Sequence, residues 1–309
     1  MTFRFLGTGT SVGVPQIGCT CRVCTSSDPR DRRRRCGAYV TASDGAALLV
    51  DTPPELRLAC IECGISKVDA VALTHAHMDH VAAFDDIRRF NTINGEKVPC
   101  EPGDPLYRGL PYRIVGKPIV CYAMGETIEQ MHKIFPYISA AGGSNGLFRP
   151  MVEFSDVDSF SVGGMAVERL KVDHGFPCCG YLFRERNRPL RGFATHGEAN
   201  TPSEASAEGT GNGERAIAYI SDCHVLPDET IERVKGVDVM VLNCLRERQH
   251  PTHLSLERAL GYLDQIAPKR AYLVHMCHDL THKDWLARLA GTNVEPAYDG
   301  LKLNIGDKQ

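Results

Sequence analysis

The sequence predicts an α/β layered fold, and two patterns carry that prediction: short β-branched runs recur along the chain, and segments with helical apolar spacing separate them. The opening Met-Thr-Phe-Arg-Phe-Leu-Gly reads as the first strand, without the charged region and apolar stretch of a secretory signal. Further strands are expected at 46–50, 68–73, 118–122, 167–172, 216–220, 237–242, 271–274 and 301–305. Helices are expected at 54–63, 126–134, 227–234, 255–266 and 283–289. Ser255 ahead of Leu256 and Glu257, and Pro227-Asp228-Glu229, are good helix starts, because a missing N–H and negative charge are tolerated or favoured in a first turn. Two stretches interrupt the pattern. Residues 94–113, rich in Gly and Pro, read as an irregular insertion; so do 187–215, a Gly/Ser/Glu-rich tract too poor in apolar surface to offset its ordering entropy. His196 within the second is expected to be solvated.

The 309 residues allow one large domain or two ordinary ones, with 43% hydrophobic and 24% charged residues as in a globular protein. A formal net charge of -3 supplies no broad basic field for nucleic acid. No window reaches the roughly 20 apolar residues of a membrane span, so no membrane partner is expected. The anomaly is 13 Cys and 12 His. An odd, dispersed Cys count argues against a complete disulfide framework and for reduced thiols or metal, in a cytoplasmic setting.

The strongest motif is Thr74-His75-Ala76-His77-Met78-Asp79-His80, directly after the apolar run 68–73. A strand that ends in a loop opening a helix can converge three imidazoles and a carboxylate on one point, a donor set suited to Zn, Mn or Fe. The motif resembles the signature of the metallo-β-lactamase superfamily, whose later ligands are a His, an Asp and a His at strand ends. Here His174 follows 167–172, Asp222 follows 216–220, and His275 follows 271–274. The resemblance implies an αββα four-layer sandwich with two mixed sheets inside, formed by a single domain over 1–309. It implies that His75, His77 and His174 hold one divalent metal, that Asp79, His80 and His275 hold the second, and that Asp222 bridges them. Asp51, ending the run 46–50, matches the family's early Asp, which orients a ligand. His224 competes with Asp222 but lies outside the pattern.

A second motif, Cys19-Thr20-Cys21-Arg22-Val23-Cys24, packs three thiols into six residues. Thiolates at this spacing select a structural Zn in a closed tetrahedral site and need a fourth ligand. His278 is the candidate: three residues after His275, it lets one loop reach both metal sites. Gly7-Thr-Gly-Thr-Ser11 reads as a tight strand-to-loop turn, and the run from Arg30 to Arg35 is expected to pair with acids more than to steer substrate. With the Cys motif, these features look like the phosphodiesterase branch typified by phosphoribosyl 1,2-cyclic phosphate phosphodiesterases of the carbon-phosphorus lyase pathway.

That resemblance implies hydrolysis of small cyclic or linear phosphodiesters by a hydroxide bridging two Zn or Mn ions. His253, in His250-Pro-Thr-His253, aligns with a catalytic His near the leaving group, with His250 in reserve; Asp79 is the second residue expected in the chemistry. Family relatives are often dimers, so a homodimer is expected. Three other readings stand beside this one. A tRNA 3′-end processing endonuclease would need an RNA-binding arm, for which the acidic tract 187–215 is ill suited. A thioesterase of the glyoxalase type, or a lactamase, fits the Cys motif poorly, and a non-enzymatic carrier has no need of a complete ligand set.

Overall fold

Strand β1 (Thr2–Gly7) alternates half-buried Thr2 and Arg4 with fully buried Phe3 and Phe5, the period-two pattern of a strand with one face on a core. The structure, a computed structural model, describes residues 1–104, 109–138, 149–186 and 214–306. After β1 come β2 (Gly37–Thr41), β3 (Ala47–Val50), α1 (Leu56–Cys63), β4 (Ala70–Ala72), α2 (Met78–Val81), α3 (Ile87–Ile93), β5 (Glu96–Pro99), β6 (Tyr112–Val115), β7 (Ile119–Tyr122), α4 (Gly125–Ile134) and β8 (Val152–Ser155). The second half runs β9 (Ser159–Val162), β10 (Met165–Lys171), β11 (Cys179–Arg186), β12 (Glu214–Ile220), α5 (Asp228–Val234), β13 (Val239–Asn243), α6 (Leu256–Ile266), β14 (Arg270–Val274), α7 (His282–Arg288), β15 (Val294–Pro296) and β16 (Lys302–Asn304).

Two mixed sheets form, in the orders β16-β1-β2-β3-β4-β7-β8 and β15-β14-β13-β12-β11-β10-β9. In the first, β3, β4, β7 and β8 are parallel; in the second, β12 to β15 are. Parallel strands covered on both faces need continuous apolar runs, and Ala47–Val50 and Val239–Asn243 are buried at every position. Phe3, Phe5, Val40 and Leu48 of one sheet meet Phe183, Tyr219 and Tyr272 of the other in a shared core. A second apolar layer packs α1, α3 and α4 on the outer face of the first sheet, through Leu56, Phe90 and Met131 among others. A third packs α5, α6 and α7 on the second sheet, through Ile231, Leu263 and Trp285. Three apolar layers separate four structural ones, and the expected αββα sandwich is the observed architecture.

The helices on the second sheet start as their sequences dictate. The Ser255 hydroxyl accepts from the Arg258 N–H at the head of α6, whose Leu256, Ala259, Leu263 and Ile266 form one buried stripe. Thr281 and Asp284 form a reciprocal capping box on α7. Among the described residues no helix is long and apolar enough to cross a membrane.

One expectation is corrected. The stretch 94–113 is not wholly irregular: β5 and β6 pair antiparallel, Glu96 facing Val115 and Pro99 facing Tyr112, with the Lys97 ammonium 4.6 Å from the Tyr112 ring centre. In a two-stranded ribbon both strands are edges, so the proline that argued against a strand is tolerated. Residues 105–108 lie outside the described residues. So do 187–213, His196 included; residues 214 and 215, expected in that insertion, begin β12, with Glu214 in register with Arg186 of β11.

Candidate metal centres

The ends of β3, β4, β10, β12 and β14 gather at one edge of the sandwich, and the chain leaving each contributes a polar side chain. Asp51 follows β3, His75 and His77 follow β4, His174 follows β10, Asp222 follows β12, and His275 follows β14; α2 carries Asp79 and His80. Asp51 and His275 both sit in the left-handed region at φ 61°. The structure brings together all seven residues expected as active-site ligands. His75, His77 and His174 form one set and Asp79, His80, Asp222 and His275 another, the ligand atoms of each lying within 4.8 Å of one another. Asp222 stands between them: its Oδ2 is 3.2 Å from His275 Nε2 and 3.8 Å from His174 Nε2, and its Oδ1 is 3.1 Å from His80 Nε2.

Partners behind the ligands fix their orientation. Asp51, fully buried, accepts from the Thr74 N–H at 2.8 Å and the Thr74 hydroxyl at 2.9 Å, and its Oδ2 lies 2.7 Å from His80 Nδ1. The Thr252 carbonyl lies 3.0 Å from His174 Nδ1, turning the other ring nitrogen toward Asp222. His253 stacks on His275 at 4.5 Å, with Nδ1 3.8 Å from Asp222 Oδ2, so the predicted catalytic histidine lies inside the cluster. His250 is one ring further out, 5.2 Å from His253. His224 is not in the cluster; the Arg258 guanidinium lies 3.2 Å from its ring.

The donor set fits a divalent cation. His80 Nε2 and Asp222 Oδ1 are buried and face each other at 3.1 Å without hydrogen-bond geometry, and both ring nitrogens of His275 are buried without a hydrogen-bond partner. Each such atom costs about 1–3 kcal/mol if nothing satisfies it. Burial, followed by the neighbouring His80, pushes His75 well below the ordinary imidazole range. Burial would also lower His80, but the carboxylates of Asp222, Asp79 and Asp51 override it and hold the ring's pKa well up. Burial works equally against an ionised Asp222, yet His275 and His80 hold its carboxyl well below the usual range. Concentrated negative charge facing imidazole lone pairs is the electrostatic form of a cation site.

The second motif also assembles. Sγ of Cys19, Cys21 and Cys24 lie 3.3, 3.5 and 3.3 Å from Nδ1 of His278. The Cys24 backbone N–H leads the interactions that lower the Cys21 thiol to about 6, whereas burial pushes Cys24 up to about 11. Four soft and borderline donors around one point suit Zn. As expected, much of the arginine run pairs with acids: Arg30 with Asp28, Arg34 with Glu62 and Arg35 with Glu55.

Residues 47–276 match the Beta-lactamase superfamily domain. A solved structure described as a new diphosphatase from the PhnP family is 31% identical, with 98% of this chain and 97% of that one covered at a TM-score of 0.73. The chain belongs to the β-lactamase superfamily, in the PhnP branch. Zn(2+)-bound PqqB from Methylobacterium extorquens, 17% identical with 98% and 100% of the two chains covered, shares the fold at a TM-score of 0.68. The octanoyltransferase of Porphyromonas gingivalis is 28% identical over 98% of this chain, which spans 51% of that relative's length.

Sequence reasoning passed over two residues that the fold sets against this cluster. Asn243, the last residue of β13, donates to the Ser221 carbonyl at 2.9 Å, accepts from the Leu254 N–H at 2.9 Å and lies 3.4 Å from His253 Nδ1. The strand-end rule that located the other polar residues would have found it. Phe176 stacks on His77 at 4.6 Å, and no spacing in the sequence marks that contact.

Proposed function

We propose that the protein is a dinuclear metal-dependent phosphodiesterase acting on small cyclic or linear phosphodiesters of the cyclic phosphoribose type, with a separate structural Zn. The observation that carries the reading is the placement of Asp222, whose carboxylate faces both ligand sets at once. His75, His77 and His174 would hold one Zn or Mn ion, and Asp79, His80 and His275 the other, with Asp222 shared. Two such ions, when bound, supply a water-derived nucleophile near neutral pH and neutralise phosphoryl charge.

The chain's own groups do the rest. Asp51 holds the His80 ring in place, and the Thr252 carbonyl does the same for His174. His253 sets an imidazole N–H against a phosphoryl or leaving oxygen, steadied by Asn243. Cys19, Cys21, Cys24 and His278 would hold the structural Zn and anchor the loop that begins at His275. A phosphoryl substrate also suits the flank near His250, where Arg246 has no carboxylate partner among the described residues and its Nε is buried unpaired. The PhnP-family relative, described as a diphosphatase, supports action on phosphorus–oxygen bonds.

The test is hydrolysis of bis(p-nitrophenyl) phosphate by protein loaded with Mn or Zn. Turnover is expected, and His77→Ala abolishes it while retaining the metal of the cysteine site. Inactivity of the metal-replete protein on that ester and on cyclic phosphosugars would overturn the reading. The octanoyltransferase of Porphyromonas gingivalis, 51% of whose length this chain spans, supports a second reading, action on an acyl bond. An octanoyl thioester in the same panel decides between them.

A further inference from the structure

On the outer face of the first sheet, apart from the metal centres, lies a pocket of about 170 Å³, below the roughly 300 Å³ at which sites for organic ligands begin. Thr2, Arg4, Tyr39 and Lys302 make its floor, and the turn that ends α1 walls it with Ser66 and Lys67. The pocket sits toward the strand ends remote from the metals. Thr2 is in register with Thr41, and Thr41 with Ala47, the first residue of β3, whereas Asp51 follows the last. Gly64 turns through the left-handed region at φ 65° where α1 ends, and the Tyr39 hydroxyl donates to the Lys67 carbonyl at 2.7 Å, fixing the wall against the floor. Arg4, half-buried, stands directly opposite Lys302 across the β1 and β16 pair. Like charges in that relation repel. Neither forms an ion pair among the described residues, and no Asp or Glu lines the pocket. The Asp69 carboxylate beyond the wall is committed to Lys67 at 3.0 Å and to the Ala47 N–H at 2.8 Å. A lysine on β16, the edge strand of its sheet, also guards against strand addition, but that role explains Lys302 alone, since β1 is paired on both sides.

We propose that this pocket is a second anion site, which binds a phosphate-type oxyanion between Arg4 and Lys302 and takes no part in the reaction at the metals. Two uncompensated cations call for two negative charges, and a single carboxylate leaves one of them unmatched. The guanidinium pairs with phosphoryl oxygens through two parallel N–H donors and the ammonium adds a point charge. The hydroxyls of Thr2 and Ser66 offer donors to the remaining oxygens. Lys67, already paired with Asp69, adds only its field. The volume admits the oxyanion and little of any group attached to it. Free phosphate and the phosphoryl end of a monoester whose remainder stays in solvent therefore present the same chemistry. Once bound, the anion turns a repulsive pair into a bridge that ties β16 to β1.

Calorimetric titration of the metal-loaded protein with inorganic phosphate, and separately with ribose 5-phosphate, reads the site without turnover, so its outcome is independent of the phosphodiesterase reading. Because phosphate also reaches the active-site metals, the titration is repeated in His77→Ala, from which that metal is removed. One equivalent of phosphate is expected to bind there still. Adding Arg4→Gln or Lys302→Gln to that variant should weaken it roughly ten- to a hundredfold, the loss expected for one charged hydrogen-bond partner, and Arg4→Lys should retain most of the affinity. Melting temperature supplies a second readout. In phosphate-free buffer Lys302→Gln should melt no lower than the wild type, because the repulsion is relieved. Phosphate, set against chloride of equal ionic strength, should raise the wild type above the variant. Tighter binding of ribose 5-phosphate than of phosphate identifies a monoester as the ligand, and the reverse identifies the free ion. Affinity that is unchanged in Arg4→Gln and Lys302→Gln, or binding that vanishes in His77→Ala, overturns the proposal. Should Arg4→Gln fail to fold, Lys302→Gln, on the exposed edge, carries the test alone.

Discussion

Asp51 and His275 are the two residues at the site with φ 61°, a region that costs a non-glycine residue about 1–3 kcal/mol and that Asp and His tolerate better than most. Both follow the last residue of a strand, and the left-handed turn swings the side chain across the strand ends rather than along the strand. Burial pushes the Asp51 carboxyl upward, and the hydrogen bonds from Thr74 and the charge of His80 work against that push. Its carboxylate therefore depends on the histidine it orients. Asp51→Asn tolerates the same backbone and removes only the charge, so catalytic-metal affinity should fall about ten- to a hundredfold in chelator competition. Unchanged affinity would reduce Asp51 to packing. His253 acts on substrate rather than on metal in the proposed reading. His253→Ala should then lower kcat by about two to four orders of magnitude with metal content unchanged.

At the scale of elements, the chain was legible where a run met one of two simple environments. Strands buried on both faces, such as 46–50 and 237–242, and helices with a single apolar stripe, such as 255–266, were visible and observed within a few residues. Strands β2, β8, β9 and β11 were not, because Gly37–Thr41 and Cys179–Arg186 mix small, polar and charged residues whose pairing is decided by neighbouring strands. Asp51, His75, His77, His174, Asp222 and His275 were legible because each follows a strand that was itself legible, and Asp79 and His80 because they share the motif of His75 and His77; Asn243 ends such a strand but belongs to no motif. Phe176 and the Thr252 carbonyl act through contacts that exist only in the folded chain. Helix α7 shows how an element ties into the cysteine loop: its capping-box residue Asp284 also pairs with Arg22 at 2.5 Å. Thr281→Ala should cost about 1 kcal/mol in urea unfolding. Cys21→Ala should remove one equivalent of Zn and lower the melting temperature, and unchanged values for both would refute the structural site.

For the molecule as a whole, the decisive seam is where the chain leaves β15 of the second sheet and returns through 297–301 to β16 of the first. Asp299 stands in that crossing, accepting from the Thr8 hydroxyl at 2.8 Å and the Arg34 N–H at 2.7 Å. Beside it Arg33 is 1% exposed, donates to the Ala297 carbonyl at 2.8 Å and keeps Nε and a terminal nitrogen unpaired. Burial dominates both groups, pushing the Asp299 carboxyl up to about 6 and the Arg33 guanidinium down to about 10. A carboxyl whose folded value of about 6 stands above its ordinary 3.8 favours the fold when protonated. Its contribution is complete below the unfolded value and is lost as pH rises through the folded one, each tenfold difference in proton affinity between the two states being worth roughly 1.4 kcal/mol. Asp299→Asn gives up an acceptor for the Arg34 N–H and so starts less stable at pH 4. As pH rises from 4 to 7 the variant should gain on the wild type by about 1–3 kcal/mol. Urea unfolding of both proteins, metal-depleted so that histidine protonation acts on each alike, isolates the difference. Curves that stay parallel across that window would show that the Asp299 carboxyl is already ionised in the acid-folded protein, and that Arg33 compensates its burial in full.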